Sequence, residues 1–108
     1  MSKLVEEWKP VVGFEGLYDA SDWGRIKSLE RMKKHWRGGW SRVSERILTP
    51  TPDNNGYLTV GLRKDGKGTT VRVHLLVWDA FVGTDRTGLD VNHIDENKEN
   101  NCLWNLNL

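Results

Sequence analysis

His93 stands where a histidine can do hydrolytic chemistry. It closes the run Val91-Asn92-His93-Ile94, and a loop rich in Asp, Glu, Lys and Asn follows it, Asp95 to Asn101. A further asparagine, Asn105, sits among Leu103, Trp104 and Leu106. An imidazole at a strand end with one open face can take a proton from water beside a metal near neutral pH. From its local sequence alone, His93 reads equally well as an exposed strand-end histidine.

The elements before it must place that ring. Leu17-Tyr18-Asp19-Ala20 reads as a strand, Ser21-Asp22-Trp23-Gly24 as a turn, and Arg25 to Leu29 as a strand with alternating basic and apolar residues. On such a strand Arg25 and Lys27 face one way while Ile26 goes to the core. Residues 30–45 mix basic and aromatic side chains around Gly38-Gly39, the pattern of a loop that orders on a partner. Trp36 and Trp40 are expected to cover apolar surface there rather than stack on bases. Arg46 to Pro50 is a short strand and Asp53 to Gly56 a turn. Residues 57–62 and 69–73 form a hairpin whose tip carries Arg63, Lys64 and Lys67. His74 to Val82 is a short helix with Leu75, Trp78 and Phe81 at three-residue spacing, ended by Gly83. His74 is expected to pack or to hydrogen-bond. Residues 88–94 form the strand leading to the key loop.

Composition narrows the class. A chain of 108 residues makes one small domain, or two very small modules sharing a core, and its six tryptophans supply large buried area. No apolar run approaches the about 18 residues of a membrane span. The first seven residues, Met1 to Glu7, lack the apolar core of a secretion signal. One cysteine, Cys102, rules out an internal disulfide and a cysteine-held zinc, and it suits a reducing cytoplasm. Charge is uneven. Residues 25–46 carry eight basic side chains against two acidic ones, and residues 84–108 carry two against five. The basic half would draw a polyanion, and the acidic half could tolerate a divalent cation. Arg25, Lys27, Arg31, Lys33, Lys34, Arg37, Arg42, Arg63, Lys64, Lys67 and Arg72 are the candidate nucleic-acid contacts.

Two segments carry a family resemblance. Trp8, the Gly13-Phe14-Glu15-Gly16 turn, Tyr18, Ser21, Gly24-Arg25 and Ser28 together resemble the N-terminal DNA-binding motif, of NUMOD type, that precedes the nuclease part of phage and intron HNH homing endonucleases. Val73 to Phe81 followed by Val91 to Asn101 resembles that nuclease part. The resemblance implies an α+β fold, a small antiparallel sheet module followed by a ββα-metal hairpin. Residues 1–50 would be the DNA-binding motif with its basic loop, and residues 51–108 the nuclease-like unit. It also implies roles. His93 matches the general base, and Asn92 the position that can give a metal ligand. Asn105 matches the middle asparagine that pins the loop and orients the histidine. Mg²⁺ or Mn²⁺ would be the cofactor and double-stranded DNA the substrate, in the cytoplasm of a bacterial host of a phage or prophage. A homodimer stays open, because nicking against double-strand cleavage depends on it.

The chemistry agrees with those roles. Cleaving a phosphodiester needs an oriented water, a base near pH 7 and positive charge at the developing oxyanion and the leaving oxygen. The match departs from the family at two places. Asn92 stands where some members have an aspartate, and an amide oxygen binds a cation more weakly than a carboxylate does. The last family ligand would fall beyond Leu108, so the hairpin is expected without its final helix. Asp95, Glu96 and Glu99 read as loop solvation, Asn97, Asn100 and Asn101 as turn residues, and Cys102 as a small buried side chain. Two rival readings remain, a DNA-binding remnant without catalysis and a small protein-binding module.

Overall fold

The computed structural model describes residues 4–108; the first three residues of the stretch read above as carrying no secretion signal lie outside them. Eleven short strands and one α-helix make an α+β arrangement of antiparallel sheets. A four-stranded sheet comes first: β1 (Trp8–Pro10), β2 (Tyr18–Ser21), β3 (Ile26–Ser28) and β6 (Arg46–Ile47), in the order β1-β2-β3-β6. Between β3 and β6 runs a separate two-stranded sheet, β4 (Arg31–Lys34) with β5 (Trp40–Val43). A three-stranded sheet follows, β7 (Thr51–Pro52), β8 (Leu58–Lys64) and β9 (Lys67–Arg72). The helix α1 (Val73–Phe81) comes next, and β10 (Asn92–His93) and β11 (Leu106–Asn107) pair last, with a 3₁₀ turn at Leu103–Asn105 leading into β11.

Burial follows the period of each element. In β8, Val60 and Leu62 point inward while Gly61 and Arg63 point out, the period-two alternation of a sheet with one covered face. In α1 the deepest residues are Val73 and Val77, four apart and almost wholly enclosed, joined by Trp78. The expected ladder of Leu75, Trp78 and Phe81 is therefore offset, with Leu75 and Phe81 only half-buried at its edges. Val11, Tyr18, Ala20 and Ile26 from the first sheet meet Val60, Leu62, Val73 and Val77 in one core. The Tyr18 hydroxyl accepts a hydrogen bond from the backbone N–H of Arg63 at 3.0 Å, tying the first sheet to the third. The indole N–H of Trp78 is buried among these residues with no acceptor among the described residues.

Three expectations change. Residues 30–45, expected as a loop that orders on a partner, form the β4–β5 hairpin, with Lys34 opposite Trp40 and Met32 opposite Arg42. The Gly pair makes this local closure feasible, since Gly38 (φ 93°) and Gly39 (φ 78°) turn through left-handed backbone that other residues resist. Trp36 is 82% and Trp40 68% exposed, so neither covers apolar surface as expected. The predicted strand at residues 88–94 shrinks to Asn92–His93, because only that pair finds a partner, opposite Asn107 and Leu106.

Leu62 has no exposed surface and sits where the third sheet meets the shared core. Leu62→Ala should lower the unfolding free energy by roughly 2–5 kcal/mol in a denaturant titration, the range for a leucine cavity in a packed core.

Candidate functional site

The site is built where β10 ends. Antiparallel pairing of His93 with Leu106 presents the imidazole at the strand end, half-buried, beside the exposed Asn92. With two residues in each strand, the ladder is too short to shape the loop between them. Asn105 does that instead. Its backbone carbonyl accepts from the N–H of Ile94 at 2.7 Å. Its side-chain oxygen accepts from the N–H of Asp95 at 3.2 Å. Its amide donates to the Asp95 carboxylate and to the carbonyl of Asn100, each at 2.9 Å. A carboxamide has one accepting and one donating end, and here both ends are used.

Asp95 is the other half of this knot. It accepts from the side chains of Asn100 (2.8 Å) and Asn105 and from the backbone N–H of Asn97 (2.8 Å). The Asn100 amide, the Asn97 N–H and the Asn105 amide hold its carboxyl below the usual aspartate range. Asp95, read above as loop solvation, is a structural hub. Asn101 also departs from its reading as a turn residue, being 3% exposed, with its side-chain oxygen 2.7 Å from Nε2 of His93. Cys102 is half-buried, and its thiol reaches the carbonyl of Trp23 at 3.3 Å.

Behind His93 lies a stack of rings. The centroids of His74 and His93 are 4.8 Å apart, and Tyr57 packs nearly parallel to His74 at 5.1 Å. Arg72 and Lys98 cover the Tyr57 ring at 4.1 and 4.6 Å. Burial first, and then the neighbouring His93, Arg72 and Arg86, push the pKa of His74 down to about 4. His74 therefore packs as a neutral ring, as its sequence suggested. In front, an open pocket of about 350 Å³ is lined by Tyr57, Asn92, His93, Glu96 and Lys98. Among the described residues, no group of three or more His, Cys, Asp or Glu side chains is placed to hold a metal ion.

The basic candidates divide into two sets. Arg25 pairs with Glu6, Lys27 with Glu45 at 3.7 Å, Arg42 with Glu30 at 2.9 Å and Arg72 with Asp53 at 2.8 Å. Arg31 bonds Ser28 and the carbonyls of Leu17 and Leu29, Lys64 the carbonyl of Gly13, and Arg63 that of Gly66. Lys33, Lys34, Arg37 and Lys67 are exposed and pair with no carboxylate among the described residues. The first three lie on the β4–β5 hairpin, where Arg37 also covers the ring of Trp36 at 4.6 Å. Tyr57, Lys98 and Asn101 at the site were not singled out from sequence. Their only signal was a position within a segment of the right type, because their role comes from contacts across the fold. No helix of the described residues is long and apolar enough to cross a membrane.

The chain and its fold have known counterparts. Residues 6–63 match the NUMOD4 motif, and the chain belongs to that family. It is 37% identical over 100 residues to the DNA endonuclease I-HmuI of Bacillus phage SP01, covering 93% of this chain and 50% of that protein. It is 33% identical over 67 residues to the uncharacterized HNH endonuclease L245 of Acanthamoeba polyphaga mimivirus, covering 62% of this chain and 20% of that protein. A solved structure of the HNH homing endonuclease I-HmuI, described for its DNA binding and cleavage, superposes with a TM-score of 0.71 at 38% identity, over 93% of this chain and 50% of that one. The chain thus spans half the length of the phage relative and a fifth of the viral one.

A buried histidine of lowered pKa makes stability depend on pH. The unfolded chain binds a proton at His74 near pH 6.5, but the folded chain does so only near pH 4. Its contribution is complete above pH 6.5 and is lost as pH falls from there toward 4. His74→Phe should flatten this part of the stability profile, measured as thermal midpoints across that pH range.

Proposed function

We propose that the protein is a metal-dependent HNH endonuclease that hydrolyses phosphodiester bonds of double-stranded DNA, with His93 as the general base. The observation that carries this reading is the placement of His93. Its ring lies at a strand end on the rim of an open pocket, beside Asn92, above a loop that Asn105 pins through both ends of its carboxamide. Similarity to proteins named HNH endonucleases supports it.

In this reading β10, β11 and the loop they enclose are the two-stranded part of a ββα-metal fold. His93 takes a proton from a water, the water oxygen attacks phosphorus, and the bond to the leaving oxygen breaks on the opposite side. Asn105 does no chemistry; it keeps the loop, and so the base, in place. The pocket's oxygen donors, the Asn92 amide and the Glu96 carboxylate, suit a hard cation that keeps waters and shares phosphate oxygens, not one enclosed by protein. Mg²⁺ or Mn²⁺ bound there would supply positive charge to the developing oxyanion and the leaving oxygen. Lys98 lines the same pocket, with its ammonium bonded to the Asn55 carbonyl at 2.8 Å, and would add a cation near the substrate backbone.

The DNA grip is assigned first to the cations without carboxylate partners, Lys33, Lys34, Arg37 and Lys67, with Trp36 and Trp40 beside them on the hairpin. Arg25, Lys27, Arg31, Arg42, Arg63, Lys64 and Arg72 would contribute only by exchanging or sharing their present partners. The reaction would run in the cytoplasm of a bacterial host. One copy of the chain would nick a single strand, and a homodimer would be needed to cut both together. A second reading, a DNA-binding module without catalysis, is favoured by one observation, the lack of a three-residue cluster of acids or histidines for metal among the described residues.

Plasmid nicking that requires Mg²⁺ or Mn²⁺, lost in His93→Ala while DNA binding persists, is the expected result. DNA binding without metal-dependent nicking in the unmodified protein would favour the second reading. Binding should also weaken with salt. Replacing Lys33, Lys34, Arg37 and Lys67 with Ala should reduce the slope of log K against log salt by about 0.9 for each phosphate contact removed.

A further inference from the structure

The last loop is clamped from a distant part of the chain. The Ser21–Gly24 turn of the first sheet lies directly against Asn101, Cys102 and Leu103. The Leu103 N–H donates to the carbonyl of Asp22 at 2.8 Å, and the Cys102 thiol reaches that of Trp23 at 3.3 Å. Gly24 makes the closest approach. A Cβ there would stand 2.6 Å from the carbonyl carbon of Asn101 and 2.7 Å from its oxygen. Those atoms are backbone and cannot swing aside, and Gly24 has φ +89°, which disfavours other residues independently of the clash. Ser21 and Asp22 are buried, and Asp22 holds the N–H of Glu7 at 2.9 Å, so the turn itself is fixed.

What the turn fixes is Asn101. Its side-chain oxygen meets Nε2 of His93 at 2.7 Å. A carboxamide oxygen can only accept, so Nε2 must carry the proton, and in the neutral ring Nδ1 keeps its lone pair. The Tyr57 and His74 rings pack against the imidazole, with centroids 6.0 and 4.8 Å from that of His93. We infer that the Ser21–Gly24 turn and Asn101 are positioning residues for His93: the turn seats Asn101, and Asn101 holds the imidazole as its Nε2–H tautomer with Nδ1 as the proton-accepting atom. This rests on the reading of His93 as a general base, and it makes the N-terminal module part of the machinery that prepares the base.

The test reads the ring directly and turnover separately. Long-range proton–nitrogen NMR of the unmodified protein, at a pH where His93 is neutral, should show one tautomer, protonated at Nε2. Asn101→Ala and Gly24→Ala should each give a mixture of tautomers. In nicking assays Asn101→Ala should lower kcat by about 10- to 100-fold, as expected when a partner that orients a functional histidine is lost, and leave KM for DNA unchanged. Asn101→Asp keeps an accepting oxygen and should retain the Nε2–H tautomer. An Nδ1–H tautomer in the unmodified protein would overturn the assignment, as would an Asn101→Ala ring that keeps its single tautomer. If Gly24→Ala does not fold, the Asn101 variants alone decide. The NMR measurement needs no turnover, so absence of nicking with the predicted tautomers would sink the nuclease reading and leave the positioning role standing.

Discussion

Both ends of one carboxamide hold the candidate site in shape. Strands β10 and β11 contribute two residues each, too little ladder to fix a loop of a dozen residues by backbone pairing alone. Asn105 replaces the missing ladder, reaching Asp95 at one side of the loop and Asn100 at the other. It can do so because it is buried, where a hydrogen bond gains strength from the low local dielectric and an unmade one is costly. An aspartate at this position would lose both donated bonds and face the Asp95 carboxylate. A leucine would leave the N–H of Asp95 and the carbonyl of Asn100 without their present partner. The loop in turn sets where His93 and Asn101 meet, and from there the order extends through the Gly24 contact into the first sheet. Position thus passes from the earliest strands to a ring near the end of the chain through contacts that tolerate little displacement.

Charge is organised by the same economy of short elements. Strands of two to four residues bury few apolar side chains, and aromatic rings under cations supply part of the missing cover. Lys27 lies 4.2 Å from the Trp8 ring, Arg31 5.4 Å from Tyr18, and Arg72 4.1 Å from Tyr57. In each case the charged group that lies over the ring also finds an acid or a carbonyl. These cations were read from the sequence as candidate nucleic-acid contacts, and each has a partner within the chain. On the β4–β5 hairpin the situation differs. Its residues are nearly all exposed, Arg42 pairs with Glu30, and Lys33, Lys34 and Arg37 pair with no carboxylate among the described residues. A long-range pull on a polyanion would come mainly from there.

Several elements were legible in the sequence because their signals are local. Alternation gave the faces of β3, the turn residues gave the Asp53–Gly56 turn, and Gly83 marked the end of α1. The motif around His93 was legible as a pattern, and the two strands found there agree with it in placing His93 at a strand end. Asn105 falls in the 3₁₀ turn just before the second strand, not within it. The β4–β5 hairpin was missed because its composition is that of a disordered segment; cross-strand register, which no local count reveals, orders it. Asp95 and Asn101 were misjudged for a related reason. In a run of Asp, Glu and Asn, nothing in the sequence distinguishes the side chains left to solvent from those that bond within the loop or across the fold. That distinction is made by Asn105 and by the Ser21–Gly24 turn, and the turn lies almost eighty residues away.

His74 shows why a histidine can serve as packing beside another histidine. A charged ring at that position would stand 4.8 Å from the His93 ring, with Arg72 and Arg86 close by, and would lose hydration as well. Each contribution opposes protonation, so the ring stays neutral and offers a flat apolar face. Asp53, the acid that would favour a charged His74, is engaged elsewhere. Burial raises its carboxyl pKa, but Arg72 and the N–H groups of Asn55 and Tyr57 outweigh that and hold it below the usual range. Asp53 still favours a charged His74, but burial, His93, Arg72 and Arg86 outweigh it. The neutral ring then packs against His93 without setting a second positive charge beside it.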